Sequence, residues 1–229
     1  MPLSIIIPVL NEEKLLPDIL EYLLSVKAEK DEILVVDGGS KDNSCRIANN
    51  FPVKLFHTAT GRAIQMNTGA HHATNDILYF LHADCKPPKN FTEDIETAIK
   101  RGYQAGGYKL RIGDRDQGLK KINSFFTRLD LLVFQGGGDQ SLFVTKELFN
   151  EIGGFDENFI IMEDFDIIRR LRKRGYKKAI FDNYIQVSDR KYKSNGYLKV
   201  QLANLIAYSG FSMGIKPVNI KAFYKRFLK

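Results

Sequence analysis

The sequence predicts an α/β fold in which a mostly parallel central sheet carries helices on both faces. In the first half of the chain, short runs rich in β-branched residues alternate with segments of helical periodicity. The first run, residues 4–9, is apolar almost throughout, as in a strand that is buried on both faces of a sheet. Strands separated by helices form βαβ units, and these units build parallel sheets.

The other predicted elements follow from the same patterns. Asn11 is a good N-cap for a first helix whose apolar positions run from Leu15 to Leu24. Residues 105–112 alternate as antiparallel strands do, and Gly102 and Gly175 each follow a predicted helix. The predicted strands are residues 4–9, 32–36, 53–57, 77–81, 105–112 and 140–144, and the further helices are residues 42–49, 61–73, 91–101 and 163–174.

The composition is that of a folded domain. The 229 residues are 44% hydrophobic and 27% charged, which is enough to bury a core and too apolar for a disordered chain. No charge-free apolar run reaches the roughly eighteen residues of a membrane span, and the N-terminus lacks the basic stretch of a secretory signal. Cys45 and Cys85 form neither a disulfide framework nor a metal-ligand spacing, so we expect a cytoplasmic protein.

The excess positive charge is confined to the C-terminal tail. Residues 190–229 hold nine of the 34 Lys and Arg residues and none of the 27 Asp and Glu residues. The preceding part therefore carries 25 basic and 27 acidic residues, a net charge of −2, whereas the whole chain carries +7. Because a nucleic-acid binder would spread its positive charge over the fold, we expect no nucleic-acid partner. We expect one domain over residues 1–190 and a basic helical appendage over residues 191–229.

Polar residues follow three of the predicted strands. In parallel α/β sheets, ligands bind beyond the carboxyl ends of the strands, so these residues indicate a polar ligand site. The residues alone also allow a simpler interpretation, in which Asn11 only caps a helix and Asp37 only shapes a turn. The three strand ends are Asn11-Glu12-Glu13, Asp37-Gly38-Gly39-Ser40 and His82-Ala83-Asp84.

The absence of common phosphate-binding and hydrolase motifs narrows the chemistry. The sequence contains neither GxxxxGK[ST] nor GxGxxG, which removes the main support for a P-loop NTPase or a Rossmann dinucleotide site. It also has no Gly-x-Ser-x-Gly elbow. The carboxylates that remain suit a ribose hydroxyl, or a divalent metal that holds a diphosphate.

These segments resemble the motifs of the family 2 glycosyltransferases, which have the GT-A fold. Residues 4–13 (SIIIPVLNEE) and residues 32–40 (EILVVDGGS) are similar to the opening of the family, and His82-Ala83-Asp84 falls where the family has its Asp-x-Asp metal motif. Gly153-Gly154-Phe155-Asp156 resembles the family's acceptor-side loop, and Met162-Glu163-Asp164-Phe165-Asp166 resembles its Glu-Asp catalytic motif. The matching segments run from about residue 4 to residue 175, and the chain resembles a compact bacterial subgroup that carries His-Ala-Asp.

The resemblance implies transfer of a sugar from a nucleoside-diphosphate sugar to an acceptor hydroxyl, with inversion at the anomeric carbon. In the family, the first strand exit and the acid of the second strand hold the nucleoside, and a segment resembling residues 61–70 lines the pocket. The implied nucleotide-binding residues are Pro8, Asn11, Glu12, Asp37, Gly38, Arg62, Asn67, His82, Ala83 and Asp84. Arg62 would reach the base or a phosphate, or would be a solvated helix arginine.

The resemblance also implies a divalent cation. A diphosphate leaving group develops negative charge, which a metal ion or cationic side chains must stabilise. Asp84 is the expected ligand of Mg²⁺ or Mn²⁺, since the substrate phosphates complete the shell. His82 departs from the family pattern and would hydrogen-bond the ribose or a phosphate, or be a buried structural histidine. Arg190 would pair with the diphosphate bidentately, or begin the solvated tail.

Asp164 matches the family's base, which deprotonates the acceptor hydroxyl on the face opposite the leaving group. A helix N-terminus lowers the pKa of a carboxyl group, and in-line geometry keeps such a base effective. The helix dipole favours first-turn acids without any catalytic role, so the position after Gly153-Gly154-Phe155-Asp156 is what favours catalysis. The residues implied in sugar or acceptor binding are Gly137, Asp139, Gln140 and Glu163.

The sequence of the tail predicts one segment that packs on the domain and one that contacts a membrane or a partner. Residues 200–215 are uncharged but too short and polar to span a membrane, so we expect them to pack on the domain. The last dozen residues mix apolar and basic side chains, which suits an anionic membrane surface or a partner. A lipid-linked acceptor would fit this tail, with the protein peripheral at the inner face of the membrane.

Two other functions stay open at this point. A nucleotidyltransferase that makes nucleotide sugars uses a related sheet, although Pro8-Val9-Leu10-Asn11 stands in place of that family's glycine-rich loop. A non-catalytic protein that binds nucleotide or glycan is the other alternative, because His82 occupies the metal motif.

Overall fold

Residues 1–113 and 141–228 are described by the computed structural model, and their strands form one mixed sheet. The strands are β1 (Leu3–Val9), β2 (Glu32–Asp37), β3 (Lys54–His57), β4 (Ile77–Phe80), β5 (Cys85–Lys86), β6 (Ala105–Ile112), β7 (Leu142–Thr145) and β8 (Lys178–Val187). Their order is β3-β2-β1-β4-β7-β6-β8-β5. The first four strands in that order are parallel, β7 is antiparallel to β4 and β6, β6 and β8 are parallel, and β5 is antiparallel to β8.

Helices cover both faces of the sheet, which confirms the predicted fold class. The helices are α1 (Leu16–Val26), α2 (Ser44–Asn49), α3 (Arg62–His72), α4 (Phe91–Lys100), α5 (Lys146–Glu151), α6 (Glu163–Lys173), α7 (Arg190–Asn195), α8 (Tyr197–Ser212) and α9 (Pro217–Phe227). Successive side chains of a strand point to opposite faces, so Ile5 packs with α1 and α4 whereas Ile6 packs with α3, α5 and α6. This double coverage explains why β1 is apolar almost throughout.

Two predicted local features differ from the structure. Helix α1 begins at Leu16 with Pro17 in its first turn, so the prediction that Asn11 caps this helix is wrong. The side chain of Asn11 instead accepts a hydrogen bond from the backbone N–H of Lys41. The predicted antiparallel character of residues 105–112 holds only toward β7, because β8 runs parallel to them.

The tail forms three helices, and its helix α8 packs against α9 and against Phe159 and Phe165 of the preceding part of the chain. Val200 and Ala203 of α8 form a small cluster with Leu228, and Phe211 of α8 packs with Ile220 of α9. The last dozen residues therefore bury apolar side chains against α8. In the described ranges, no helix has the length and apolar character needed to cross a bilayer. The domain boundary at residue 190 stays a prediction.

Candidate active site

The exits of β1 and β2 are joined by hydrogen bonds into one platform. The backbone N–H of Asn11 donates to Ser40 Oγ at 2.9 Å, and the N–H of Lys41 donates to Asn11 Oδ1 at 2.8 Å. The N–H of Glu12 donates to Ser44 Oγ at 2.8 Å. Asn11 adopts a left-handed backbone conformation with φ of 56°, a conformation that asparagine tolerates better than most residues. Two of the predicted nucleotide-binding segments therefore lie side by side.

Asp37 is buried at the end of β2 and held as a carboxylate. Its oxygens accept hydrogen bonds from the backbone N–H of Gly39 at 2.9 Å and of Ser40 at 3.1 Å. Burial opposes ionisation, but the hydrogen bonds, led by that of Ser40, prevail and lower the pKa of Asp37. An ionised, fixed carboxylate at this strand exit can accept hydrogen bonds from sugar or base groups.

Gln65 fixes the two strand ends, and the sequence patterns did not single it out. Its buried Nε2 donates to the backbone oxygens of Val9 and Val36, both at 2.8 Å. A Cβ atom at Gly38 would lie 2.8 Å from Gln65 Cδ, so glycine is needed for this close approach. The signal in the sequence is a glutamine on the buried face of α3.

One group of side chains in the described ranges has the spacing of a metal site, and it does not include Asp84. Ligand atoms of Asp37, Cys45 and His57 lie within 4.8 Å of one another. Burial and the charge of Asp37 raise the pKa of the Cys45 thiol, so this cysteine remains protonated and hydrogen-bonds Asp37. A protonated thiol is a poor metal ligand, so we interpret this group as support for Asp37.

The exit of β4 carries His82 and Asp84, both half-buried. Desolvation and the positive charge of Arg62 lower the pKa of His82 to about 3, so its imidazole is neutral near pH 7. Asp84 Oδ1 accepts a long hydrogen bond of 3.3 Å from Cys85 Sγ, and its backbone oxygen accepts one from the N–H of Ser188 at 3.0 Å. The second bond connects this exit to the segment that leads into the tail.

Arg190 reaches the first strand exit from the far end of the chain. Its two terminal nitrogens donate to the carboxylate of Glu12 at 2.7 and 2.8 Å, across 178 positions of sequence. Hydrogen bonding to Glu12 is the main cause that raises the pKa of Arg190, and the nearby charge of Asp84 adds to it. Arg190, Glu12 and Asp84 are thus neighbours in the structure.

The two acids at the start of α6 lie beside Arg62. Arg62 Nε is 3.1 Å from Glu163 Oε1, and its Nη1 is 4.0 Å from Asp164 Oδ2. Glu163 is only 1% exposed, whereas Asp164 retains 16% of its side-chain accessibility. Among the described residues, Glu163 Oε1 accepts no well-aligned hydrogen bond, so its partner is the charge of Arg62. Arg62 is engaged with both acids, and this rules out the interpretation of a merely solvated arginine.

The loop before α6 is fastened to its surroundings by Asp166 and Asn67. Asp166 is buried and pairs with Arg170, whose guanidinium donates to the backbone oxygens of Ile152 and Gly154, each at 2.7 Å. Asn67 exchanges two hydrogen bonds of 2.9 Å with the backbone of Phe155. The carboxamide of Asn67, expected at the nucleotide, therefore contacts the acceptor-side loop.

The structure brings most of the predicted site residues together at one edge of the sheet. Arg62 pairs with Glu163 of α6, and its positive charge also lowers the pKa of His82, so the third strand exit and the N-terminus of α6 lie near the same guanidinium. Pro8 and Ala83 are buried in the backbone framework beside them. The predicted sugar- or acceptor-binding residues Gly137, Asp139 and Gln140 lie outside the described residues.

Comparison with known proteins assigns this arrangement to a family. Residues 4–159 match the family described as Glycosyl transferase family 2, which is more than half of the chain. The chain belongs to glycosyl transferase family 2. The match includes the three strand exits and ends just before the two acids of α6. The resemblance inferred from the strand-end motifs is confirmed, and with it the expectation of a glycosyltransferase.

Relatives in the family are themselves described as glycosyltransferases. A PGL/p-HBAD biosynthesis glycosyltransferase of Mycobacterium bovis is 29% identical over 209 residues, covering 85% of this chain and 78% of the relative. Glycosyltransferase AglE of Haloferax volcanii is 26% identical over 76% of this chain and 62% of its own. An undecaprenyl-phosphate 4-deoxy-4-formamido-L-arabinose transferase of Shewanella sediminis is 28% identical over 53% of this chain and 40% of its own.

Solved structures confirm the GT-A fold of this family 2 chain. S. aureus TarS 1-349 in complex with UDP-GlcNAc superposes with a TM-score of 0.67 at 16% identity, covering 99% of this chain and 71% of the TarS 1-349 chain. Mannosyltransferase PcManGT from Pyrobaculum calidifontis, in complex with GDP-Man and Mn²⁺, has a TM-score of 0.66 at 18% identity and covers 97% of this chain and 69% of its own.

Proposed function

We propose that this glycosyltransferase moves a sugar from a nucleoside-diphosphate sugar to an acceptor hydroxyl, with inversion at the anomeric carbon. The observation that carries the proposal is the position of Arg62, which interacts with His82 of the third strand exit and with Glu163 and Asp164 of α6. A donor site and a base must face each other for in-line displacement. The family assignment favours this function over a nucleotidyltransferase or a non-catalytic binder.

The nucleoside subsite would be the platform of the first two strand exits. Asp37 offers a fixed carboxylate to ribose or base, and Gly38 lets a ligand approach the backbone closely. Asn11 and Glu12 lie beside it in the hydrogen-bonded loops. The bound UDP-GlcNAc of TarS and GDP-Man of PcManGT support a nucleotide-sugar donor for this chain.

The diphosphate subsite would be formed by Asp84 and Arg190. The oxygen donor of Asp84 fits Mg²⁺ or Mn²⁺, and Mn²⁺ is present in the complexes of PcManGT and of a mycobacterial glucosyl-3-phosphoglycerate synthase. When bound, the ion would neutralise charge on the leaving diphosphate. Arg190 presents a planar donor fork suited to phosphate oxygens, now held by Glu12. Neutral His82 would donate a hydrogen bond to a phosphate or ribose oxygen.

Asp164 would act as the general base. It accepts the proton of the acceptor hydroxyl while that oxygen attacks the anomeric carbon, the bond from this carbon to the β-phosphate oxygen breaks, and the nucleoside diphosphate leaves. Attack opposite the leaving group inverts the configuration. Glu163 would help to orient the acceptor side of the site through its ion pair with Arg62, whose guanidinium also lies 4.0 Å from Asp164.

The acceptor class we propose is a lipid-linked molecule, reached at the inner face of the membrane. Support comes from the relative of Shewanella sediminis, which is named as an undecaprenyl-phosphate 4-deoxy-4-formamido-L-arabinose transferase. The basic tail of this chain is consistent with such an acceptor because anionic phospholipids attract Lys and Arg.

A binding experiment tests the donor site first. Thermal unfolding is measured with UDP, GDP, CDP or dTDP, each with and without Mn²⁺ or Mg²⁺. A ligand at one hundred times its Kd adds about 2.7 kcal/mol of stability, a shift of several degrees. We expect one nucleotide to stabilise the protein in the presence of metal and to lose this effect in Asp84→Ala. No shift with any of the four nucleotides would contradict the proposed donor site.

A turnover experiment tests the base. Release of the identified nucleoside diphosphate from its nucleotide sugar is followed with a polyprenyl-phosphate acceptor for the wild type and Asp164→Asn. We expect turnover to fall by at least a hundredfold while the nucleotide-induced thermal shift is retained. Asp18→Asn, at an exposed acid of α1 outside the proposed site, is the matched control. Equal activities of wild type and Asp164→Asn would assign the base elsewhere.

A further inference from the structure

Helix α8 is apolar on two opposite sides, and the described residues cover only one of them. Its inner side buries Val200, Ala203, Ala207 and Phe211. These residues recur every three or four positions and so form one stripe of the helix. A surface helix normally places polar residues opposite such a stripe, and α8 does not.

The outer side of α8 exposes mainly large aliphatic side chains, with Ser209 and Ser212 as its small polar residues. Leu198 is 70% exposed, Leu205 is 55% exposed and Met213, just after the helix, is 79% exposed. Leu202 and Ile206 lie between them at helical spacing and are also exposed. Ile215 and Val218 extend this apolar surface into the corner that leads to α9. We call these seven residues the α8 surface. Single exposed apolar side chains are normal, whereas a contiguous group indicates an interaction site.

The positive charge of the tail indicates a partner with an anionic surface. Lys199 follows Leu198 directly and Lys216 follows Ile215, so basic residues adjoin the two ends of the α8 surface. Residues 190–229 contain nine basic residues and no acidic one. An apolar stripe with basic neighbours matches a bilayer whose headgroups are anionic, because acyl chains receive the stripe and phosphates attract the lysines. A dimer formed through the α8 surface is disfavoured, because it would bring the lysines of the two copies together.

The inner side of α8 packs against the segment that leads into the proposed base. The ring of Phe165 lies 5.4 Å from that of Tyr208, and the guanidinium of Arg169 lies 4.5 Å from the ring of Phe211. Phe159 and Met162 belong to the same cluster. A partner on the outer side of α8 is therefore one helix away from the acids of α6.

We propose that the α8 surface docks on an anionic lipid bilayer, with the helix lying in the plane of the interface. The proposal rests on the proposed function for its purpose, since docking would deliver a lipid-linked acceptor to Asp164. It corrects the expectation that the last dozen residues provide the membrane contact. Ile220 and Leu228 of that segment are buried against α8, and the exposed aliphatic residues belong largely to α8 itself.

Liposome flotation tests the proposal. The wild-type chain is mixed with vesicles of phosphatidylcholine alone or with one third phosphatidylglycerol. We expect binding to the anionic vesicles, at least a tenfold loss in Leu205→Glu, and a similar loss in the double variant Lys199→Gln/Lys216→Gln. Tyr103→Glu changes an exposed apolar residue of the domain body and is expected to bind like the wild type. Lys30→Gln/Lys89→Gln is the corresponding charge control.

Two further measurements keep the outcomes distinct. The nucleotide-induced thermal shift is recorded for every variant, so a failed donor site appears as a lost shift and failed docking as lost flotation. The mass of the wild type in solution is measured by light scattering. Absence of flotation, equal flotation of Leu205→Glu and wild type, or a dimer that Leu205→Glu dissolves would each overturn the proposal.

Discussion

Arg62 Nε lies 3.1 Å from Glu163 Oε1, so a half-exposed arginine of α3 neutralises a carboxylate buried at the start of α6. The same guanidinium lies 4.0 Å from Asp164 and contributes to the lowered pKa of His82. Arg62 thus interacts with the proposed base and with the third strand exit. The side chain of Arg62 therefore influences both the donor side and the acceptor side of the proposed site.

Replacing Arg62 should lower both the turnover rate and the free energy of unfolding. In Arg62→Ala, Glu163 loses its charged partner and the orientation of Asp164 is released, so we expect turnover to fall roughly 10- to 100-fold. The free energy of unfolding should fall by about 1–3 kcal/mol because a buried carboxylate is left unpaired. Steady-state kinetics and urea denaturation measure the two effects. Arg101→Ala, at an exposed arginine after α4, should change neither.

The Glu12–Arg190 pair makes a separate prediction about the diphosphate. Arg190→Ala should weaken nucleoside-diphosphate binding about tenfold or more, since a hydrogen bond to a charged group contributes about 1.5–3 kcal/mol. Its effect on stability should stay below about 1 kcal/mol because the arginine is half-exposed. Glu12→Gln keeps the arginine and should bind the nucleotide better than Arg190→Ala. Equal losses in calorimetric titrations of both variants would assign Arg190 only to holding Glu12.

The lowered pKa of His82 predicts a specific loss of stability in weak acid. The folded protein holds His82 with a pKa of about 3, whereas the unfolded chain protonates it near pH 6.5, so the unfolded state binds more protons between these values. Stability should therefore decrease as the pH falls below about 6.5, by about 2 kcal/mol at pH 5. Denaturation between pH 7.5 and 5 measures the decrease. It should disappear in His82→Gln and persist in His71→Gln, which alters an exposed histidine.

Gly69 allows α3 to lie directly on the sheet. A Cβ atom there would be 2.4 Å from Ile6 Cγ2 and 3.2 Å from Val36 Cγ2. Helix propensity alone would make Gly69→Ala stabilising by up to about 1 kcal/mol, but overpacking of this contact should make it destabilising by about 1–3 kcal/mol. The sign of the change in urea denaturation decides between the two effects. Thr68→Ala on the same helix should shift stability by less than about 1 kcal/mol.

The sequence predicts the parts of this protein that depend on local periodicity. The apolar run of β1 indicates a strand buried on both faces, and Ile5 and Ile6 do pack with helices on opposite sides. The end of α4 also follows from the local sequence, because Gly102 adopts the positive φ that terminates the helix. Asn11 was misassigned because its N-cap chemistry also suits a left-handed turn, and Pro17 then starts the helix one turn later.

The motifs at two strand ends and at the start of α6 were sufficient to place Asp37, Asp84 and Asp164 in one family pattern. The strand ends of a parallel sheet converge, so motifs that are distant in the chain meet at one edge. The sequence alone therefore determined the family, and it predicted the strand ends at which we propose the site.

Only the tertiary structure decided which partners those residues have. Arg190 with Glu12, Arg62 with Glu163, and Gln65 with the ends of β1 and β2 are contacts across long sequence separations, and no periodicity encodes them. The same limit applies to α8, which is apolar on both sides in the sequence. Its covered side is fixed by packing against α9 and the loop before α6, because burial is a property of the whole fold and not of one helix.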